Sequence, residues 1–238
     1  MATVSRRRNA VLAGWAVALL VFAGCTAIGA ATREPAPGSP TRTQLEQLLA
    51  TVTVIPERPQ LPGYERGCRK EQLCVFGPAW SDDTDAPGGH DGCDTRNNVL
   101  ARQMTNVEFR PGTRDCVVVA GTLADPYSGQ TVTFSKSRAG DVQIDHVYPL
   151  AAAWDMGAAT WPLERRMTFA NDVDYNLLAV DGGINQAKRD DTPQDWLPPD
   201  AAYHCFYAGK YLTVAVQYGL PVTEEDHDAL ADVARSCG

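Results

Sequence analysis

Five side chains within one 44-residue stretch, Asp145, His146, Asn176, Asn185 and Lys188, are of the types that hydrolytic chemistry uses. Asp145 offers a hard anionic oxygen, and Asn185 offers a neutral carbonyl oxygen. A cation held by so few protein ligands keeps several waters, which suits Mg²⁺, with Mn²⁺ as the second candidate. His146 titrates near neutrality and can accept a proton. On a regular strand Asp145 and His146 point to opposite faces. A twist at the strand end or a bend before Pro149 is then needed to bring both to one cleft. Each residue also has a structural reading. His146 reads as a turn histidine, Asp145 as a turn cap, Asn176 as a hairpin stabiliser, Asn185 as a helix N-cap and Lys188 as a solvated surface lysine.

The elements around these residues point to an α+β domain with a small antiparallel sheet and flanking helices. "TQLEQLLATVTVI" is predicted as a helix carrying Leu45, Leu48 and Leu49 on one face. "PERPQLPGYERGCRKEQLCVFGPAW" is irregular and stapled. "SDDTDAPGGHDGCDTRNNVLARQM" begins as an acidic loop, without EF-hand spacing or its closing glutamate, and becomes helical from about Thr95. "DCVVVAGTLAD" and "QTVTFS" are strands joined by the turn "PYSG", and "DVQIDHVYPL" is a third strand. Helices over "AAAWDMGA" and "PLERRMTFAND" follow. "YNLLAVDGG" is a strand ending in a Gly-Gly turn, and "INQAKRDDTP" begins as a helix. Two further helices close the chain. Trp154, Trp161 and Trp196 read as core anchors. His90, His204 and His227 read as structural.

A strand ending in Asp-His, then "NLLAV", a turn and "NQAK", resembles the ββα-metal motif of HNH nucleases. The nine-residue step from Asn176 to Asn185, with Lys188 three further on, is similar to the HNH domain of CRISPR effector nucleases. The phrases "GCDTRNNVL", "DPYSG", "IDHVYPLAAAW", "RMTFANDVDYNLLAVDGGINQAKRDDTPQDWLPP" and "YHCFY" resemble exported HNH proteins related to the C-terminal nuclease domain of GmrSD-type restriction enzymes. The resemblance implies a ββα-metal (HNH, His-Me finger) core at about residues 142–192 inside a domain spanning 43–238. It implies a metal-dependent endonuclease that cuts DNA and leaves 5′-phosphate ends. His146 is then the general base, and Asp145 and Asn185 are the metal ligands. Asn176 orients His146, and Lys188, Arg96 and Arg166 contact phosphate, Arg96 having a pairing with Asp94 as its structural alternative. Asn185 stands where many members carry a histidine, and an amide favours Mg²⁺ over Zn²⁺.

The start of the chain carries an export signature. Arg6, Arg7 and Arg8 precede the uncharged "AVLAGWAVALLVFAG", too short to span a bilayer comfortably. Residues 1–24 are expected to be a signal. Cys25 stands at the acylation position of a lipoprotein signal, with Phe22 in place of the usual leucine, and cleavage near Ala30 is the alternative. Residues 25–42, rich in Pro, Ala and Ser, are expected to form a tether. Membrane attachment through a lipid on Cys25 is one expectation and free secretion the other. The remaining six cysteines suit an oxidising compartment, and no C-x-x-C pair suggests zinc. Counting alone allows fifteen pairings. Neighbour pairing, Cys68 with Cys74, Cys93 with Cys116 and Cys205 with Cys237, is the expectation. Without the three leader arginines the chain has 18 basic against 29 acidic side chains. That argues against nonspecific affinity for nucleic acid, but not against a local basic cleft. Two other functions fit the sequence: a non-catalytic envelope binding protein on the same fold, and a nuclease acting on RNA.

Overall fold

The computed structural model describes residues 34–238. The expected signal and Cys25 lie outside the described residues. No helix among the described residues is long and apolar enough to cross a membrane. The packed chain begins earlier than the tether boundary at residue 42. Ala36 is buried and its N–H donates to the Ala202 carbonyl (2.8 Å).

Helix α1 (Arg42–Thr51) starts at a Thr41–Gln44 capping box, which satisfies two N-terminal N–H groups. Beyond it the predicted helical stretch becomes the two-residue strand β1 (Val54–Ile55). An irregular segment leads to α2 (Thr95–Gln103), capped by Asp94. Strands β2 (Thr105–Phe109), β3 (Val118–Ala124) and β4 (Thr131–Ser135) form an antiparallel sheet. Strand β5 (Val142–His146), helices α3 (Leu150–Asp155) and α4 (Leu163–Ala170), strand β6 (Leu177–Asp181) and helix α5 (Gly182–Lys188) follow. Helix α6 (His204–Tyr218), strand β7 (Val222–Thr223) and helix α7 (Glu224–Arg235) close the domain. β7 pairs in parallel with β1, and β5 pairs antiparallel with β6. The cysteines are bonded as Cys68–Cys74, Cys93–Cys116 and Cys205–Cys237.

The β5–β6 hairpin lies between two cores. Val142, Ile144, Leu177 and Ala179 join the core shared with α2 and the three-stranded sheet. Leu178 and Val180 join the helical core. A strand covered on both faces needs apolar residues at every position, which accounts for the unbroken "LLAV". The register pairs His146 with Leu177 and Asp145 with Leu178, so strand alternation holds through the Asp-His pair.

The Gly-Gly after β6 opens a helix; it does not close a hairpin. Asp181 is the N-cap of α5, its carboxylate accepting the Ile184 N–H (2.9 Å). Gly182 is required there: a Cβ would sit 1.9 Å from the Gly140 carbonyl oxygen. Asn185 is consequently inside the helix, and Lys188 is its last residue. Chain order strand, strand, helix packs α5 across β5 and β6.

Candidate active site

Asp145 lies on the α5 side of β5. Lys188 Nζ donates to both carboxylate oxygens (3.0 and 2.9 Å) and to the His146 carbonyl (3.0 Å). Tyr127 donates its hydroxyl to Asp145 Oδ2 (2.5 Å). Lys188 is 0% exposed, so its ammonium is enclosed and does not reach the cleft. The expected phosphate-holding lysine is instead the counter-ion of Asp145. Burial pushes the Asp145 carboxyl up, against the downward pull of Lys188 and of the Tyr127 hydrogen bond.

His146 lies on the other face. Its Nε2 is 2.8 Å from the Ala170 carbonyl oxygen, an atom that only accepts, so Nε2 carries the proton. Nδ1 is then the free lone pair. It has no hydrogen-bond partner among the described residues, and His146 lines a cleft together with Asp145 and Asn185. The ring stacks on Trp80, centroids 5.6 Å apart and planes 10° apart. Burial first, and the positive charge of Arg66 second, lower its pKa to about 3. The imidazole is therefore neutral at physiological pH.

Asn176 is fully buried and grips the chain just past this pair. Its Oδ1 accepts the Tyr148 N–H (2.9 Å), and its backbone carbonyl accepts the Val147 N–H (2.8 Å). Both bonds fix the strand end that aims His146. Asn185 donates through Nδ2 to Gln143 Oε1 (2.9 Å), which leaves its Oδ1 without a protein partner among the described residues.

A cleft of about 500 Å³ gathers these groups. Asp145, His146 and Asn185 all line it, with Gln143, Arg66 and Arg189. No twist is needed to bring the two faces of β5 together. β6 pairs one edge of β5, the described sheet has no strand on the other, and the cleft is lined by residues from both faces.

Arg96 and Arg166 do not line this cleft. Arg96 donates to the Ala139 and Val142 carbonyls (2.9 and 2.8 Å), holding the loop that leads into β5. Arg166 lies over the Trp154 ring, 5.4 Å from its centroid. Trp154 also donates to the Pro62 carbonyl, and Trp196 stacks edge-on against Tyr127. His204 is bonded to the Pro198 carbonyl, and His90 sits exposed beside Asp85.

Three residues at the site were not singled out from sequence. Tyr127 belongs to "DPYSG", which reads as a turn. Buried Asp125 anchors that turn on Ser128 and on the Asp181 N–H, and so sets Tyr127 on Asp145. Arg66 and Trp80 come from the irregular cysteine-bearing segment, where periodicity carries no signal.

Among the described residues no three His, Cys, Asp or Glu side chains converge as a metal cluster. The available donors are one carboxylate and one amide oxygen. A carboxylate has about four lone-pair positions. Lys188 and Tyr127 use three, and the His146 backbone hydrogen-bonds the carboxylate as well. Hard oxygen donors and space for water in the cleft suit Mg²⁺ or Mn²⁺ and do not fit a soft, protein-enclosed metal.

The family model described as "GmrSD restriction endonucleases, C-terminal domain" matches residues 94–233. An uncharacterized secreted protein of Arthroderma benhamiae is 34% identical over 221 residues, covering 92% of this chain and 98% of that protein. No solved structure matches the chain.

Proposed function

The chain belongs to the family of the GmrSD restriction endonuclease C-terminal domain, and on that premise we propose that it is an exported, metal-dependent endonuclease that hydrolyses phosphodiester bonds of DNA. The observation that carries this reading is the His146 Nε2–Ala170 carbonyl hydrogen bond. It fixes the tautomer whose free nitrogen is the one a general base needs, at the edge of a cleft that also holds Asp145 and Asn185.

The chain's own residues supply most of the chemistry. A water beside His146 gives up its proton to Nδ1 as its oxygen attacks phosphorus; the P–O3′ bond breaks, and the departing 3′-oxygen takes a proton from solvent. The Ala170 carbonyl steadies the imidazolium that forms. Asn176 keeps the strand end, and with it the ring, from shifting. Lys188 and Tyr127 hold the Asp145 carboxylate at one position, so the pair acts on ligand placement and not on substrate. Asp145 and Asn185 would hold the cation. When bound, a divalent metal stabilises the charge that builds on the phosphate and the leaving oxygen. The β5–β6–α5 unit supports the HNH (ββα-metal) assignment, and the restriction-endonuclease family favours DNA over RNA.

Export is proposed on the charged and apolar leader, three disulfides and a relative described as secreted. Lipidation at Cys25 is the envelope-bound form of the same proposal. The test is incubation of purified protein with supercoiled plasmid and Mg²⁺. Nicking that stops with chelator and leaves ligatable 5′-phosphate ends is expected. Plasmid left intact with both Mg²⁺ and Mn²⁺ would sink the proposal and favour the non-catalytic binding protein.

A further inference from the structure

Arg66 precedes the matched family segment, yet its side chain lines the same cleft as His146. It is exposed, and no ion pair involves it among the described residues. Two of the other basic groups nearby are engaged. Lys188 is enclosed on Asp145, and Arg58 bonds Asp155 and Asp190. Arg189, also at the cleft, lies 4.0 Å from Asp191.

The backbone around Arg66 is held on both sides. The Glu65 carbonyl accepts the Val75 N–H (3.1 Å), and the Gly67 carbonyl accepts the Cys74 N–H (3.0 Å). The Cys68–Cys74 disulfide closes this short loop. The guanidinium lies 5.6 Å from the centroid of Trp80, whose other neighbour is the His146 ring. Arg66 and His146 both lie against Trp80 and both line the cleft, which sets a cation near the base. An aromatic face orients a guanidinium while leaving its N–H fork free for an anion.

We propose that Arg66 binds the phosphate of the substrate backbone in this cleft, the role that sequence reading gave to Lys188, Arg96 and Arg166. A guanidinium fork matches two phosphate oxygens, and charge-assisted bonds of this kind are the stronger ones. The inference rests on the nuclease reading for its substrate, but its test does not depend on cleavage.

A short DNA duplex in EDTA is the probe, its binding followed through tryptophan fluorescence over a range of salt. Arg66→Ala is expected to bind roughly 10- to 100-fold more weakly than wild type. The slope of log K against log salt is expected to fall by about 0.9. Arg66→Lys should restore the slope and only part of the affinity. Unchanged thermal unfolding of both variants shows that the fold is kept. Equal affinity and equal salt slope in wild type and Arg66→Ala overturn the inference. Wild type that cuts plasmid no faster than Arg66→Ala overturns it too, and leaves the nuclease reading standing. Wild type that fails to cut, while Arg66→Ala still loses affinity and slope, refutes the nuclease and keeps the phosphate site.

Discussion

Asp145 and His146 are joined by one peptide bond and work on opposite faces of β5. The carboxylate lies under α5 against Lys188 and Tyr127, and the imidazole reaches the Ala170 carbonyl. The two share a cleft because it is lined from both faces of the strand. The carboxylate and the imidazole are thereby buttressed by separate parts of the fold and can be perturbed separately.

The Asp145–Lys188 pair is buried, so removing one partner leaves an uncompensated charge. Lys188→Met is expected to destabilise the protein by roughly 3–5 kcal/mol in urea unfolding. Lys188→Met combined with Asp145→Asn should recover part of that loss. A single-variant change below about 1 kcal/mol would show that the ion pair is not formed.

Asn176→Ala removes the acceptor for the buried Tyr148 N–H. A loss of about 1–3 kcal/mol is expected. If the clamp also aims His146, kcat should drop while KM stays near the wild-type value. A variant with lowered stability at 25 °C and full kcat would restrict Asn176 to the fold.

His146 supplies a pH signature. Its folded pKa of about 3 lies below the ordinary 6.5, so between those values the unfolded chain binds more protons. The contribution of His146 to stability is complete above pH 6.5 and is lost as pH falls toward 3. Relative to His146→Asn, wild type should therefore lose extra stability on going from pH 7 to pH 4, and other titrating groups cancel in that difference. The acid limb of kcat/KM assigned to His146 should likewise lie well below pH 6.5. Parallel stability curves for the two proteins would contradict a buried neutral imidazole.

Cys68 and Cys74 staple the loop that presents Arg66 and belong to neither core, though Val75 and Phe76 beside them do. The Cys68→Ser, Cys74→Ser double variant is expected to keep its helical circular dichroism and to lose at least about tenfold in cleavage at low substrate. Loss of the folded signal would make this bridge a global staple; full activity would free Arg66 from it.

The readable parts of this fold are those with a periodic or steric signature. β3, β4, β5 and β6 follow from β-branched or apolar runs, and the α+β class follows from their order; β2, over the polar stretch Thr105–Phe109, carries no such run and is not among the strands expected from sequence. Pairing each cysteine with its neighbour along the chain gives the observed bridges. Helix α5 starts earlier than its sequence suggests, because Gly-Gly reads as a turn. Only the contact of Gly182 with the Gly140 carbonyl shows why glycine opens a helix there. Lys188 is buried where a phosphate contact is expected, because spacing reports that a residue shares a helix face, not whether that face is buried. Arg66 and Tyr127 were invisible for a related reason: each comes from an irregular loop, and tertiary contacts alone bring it to β5.

The most direct measurement is the single-turnover rate of duplex cleavage in Mg²⁺ by wild type and by His146→Ala, at enzyme concentrations that saturate the DNA. The account predicts a rate lower by roughly 10²–10⁴-fold in the variant, with DNA affinity unchanged. Equal rates would remove His146 from the reaction and contradict the central claim.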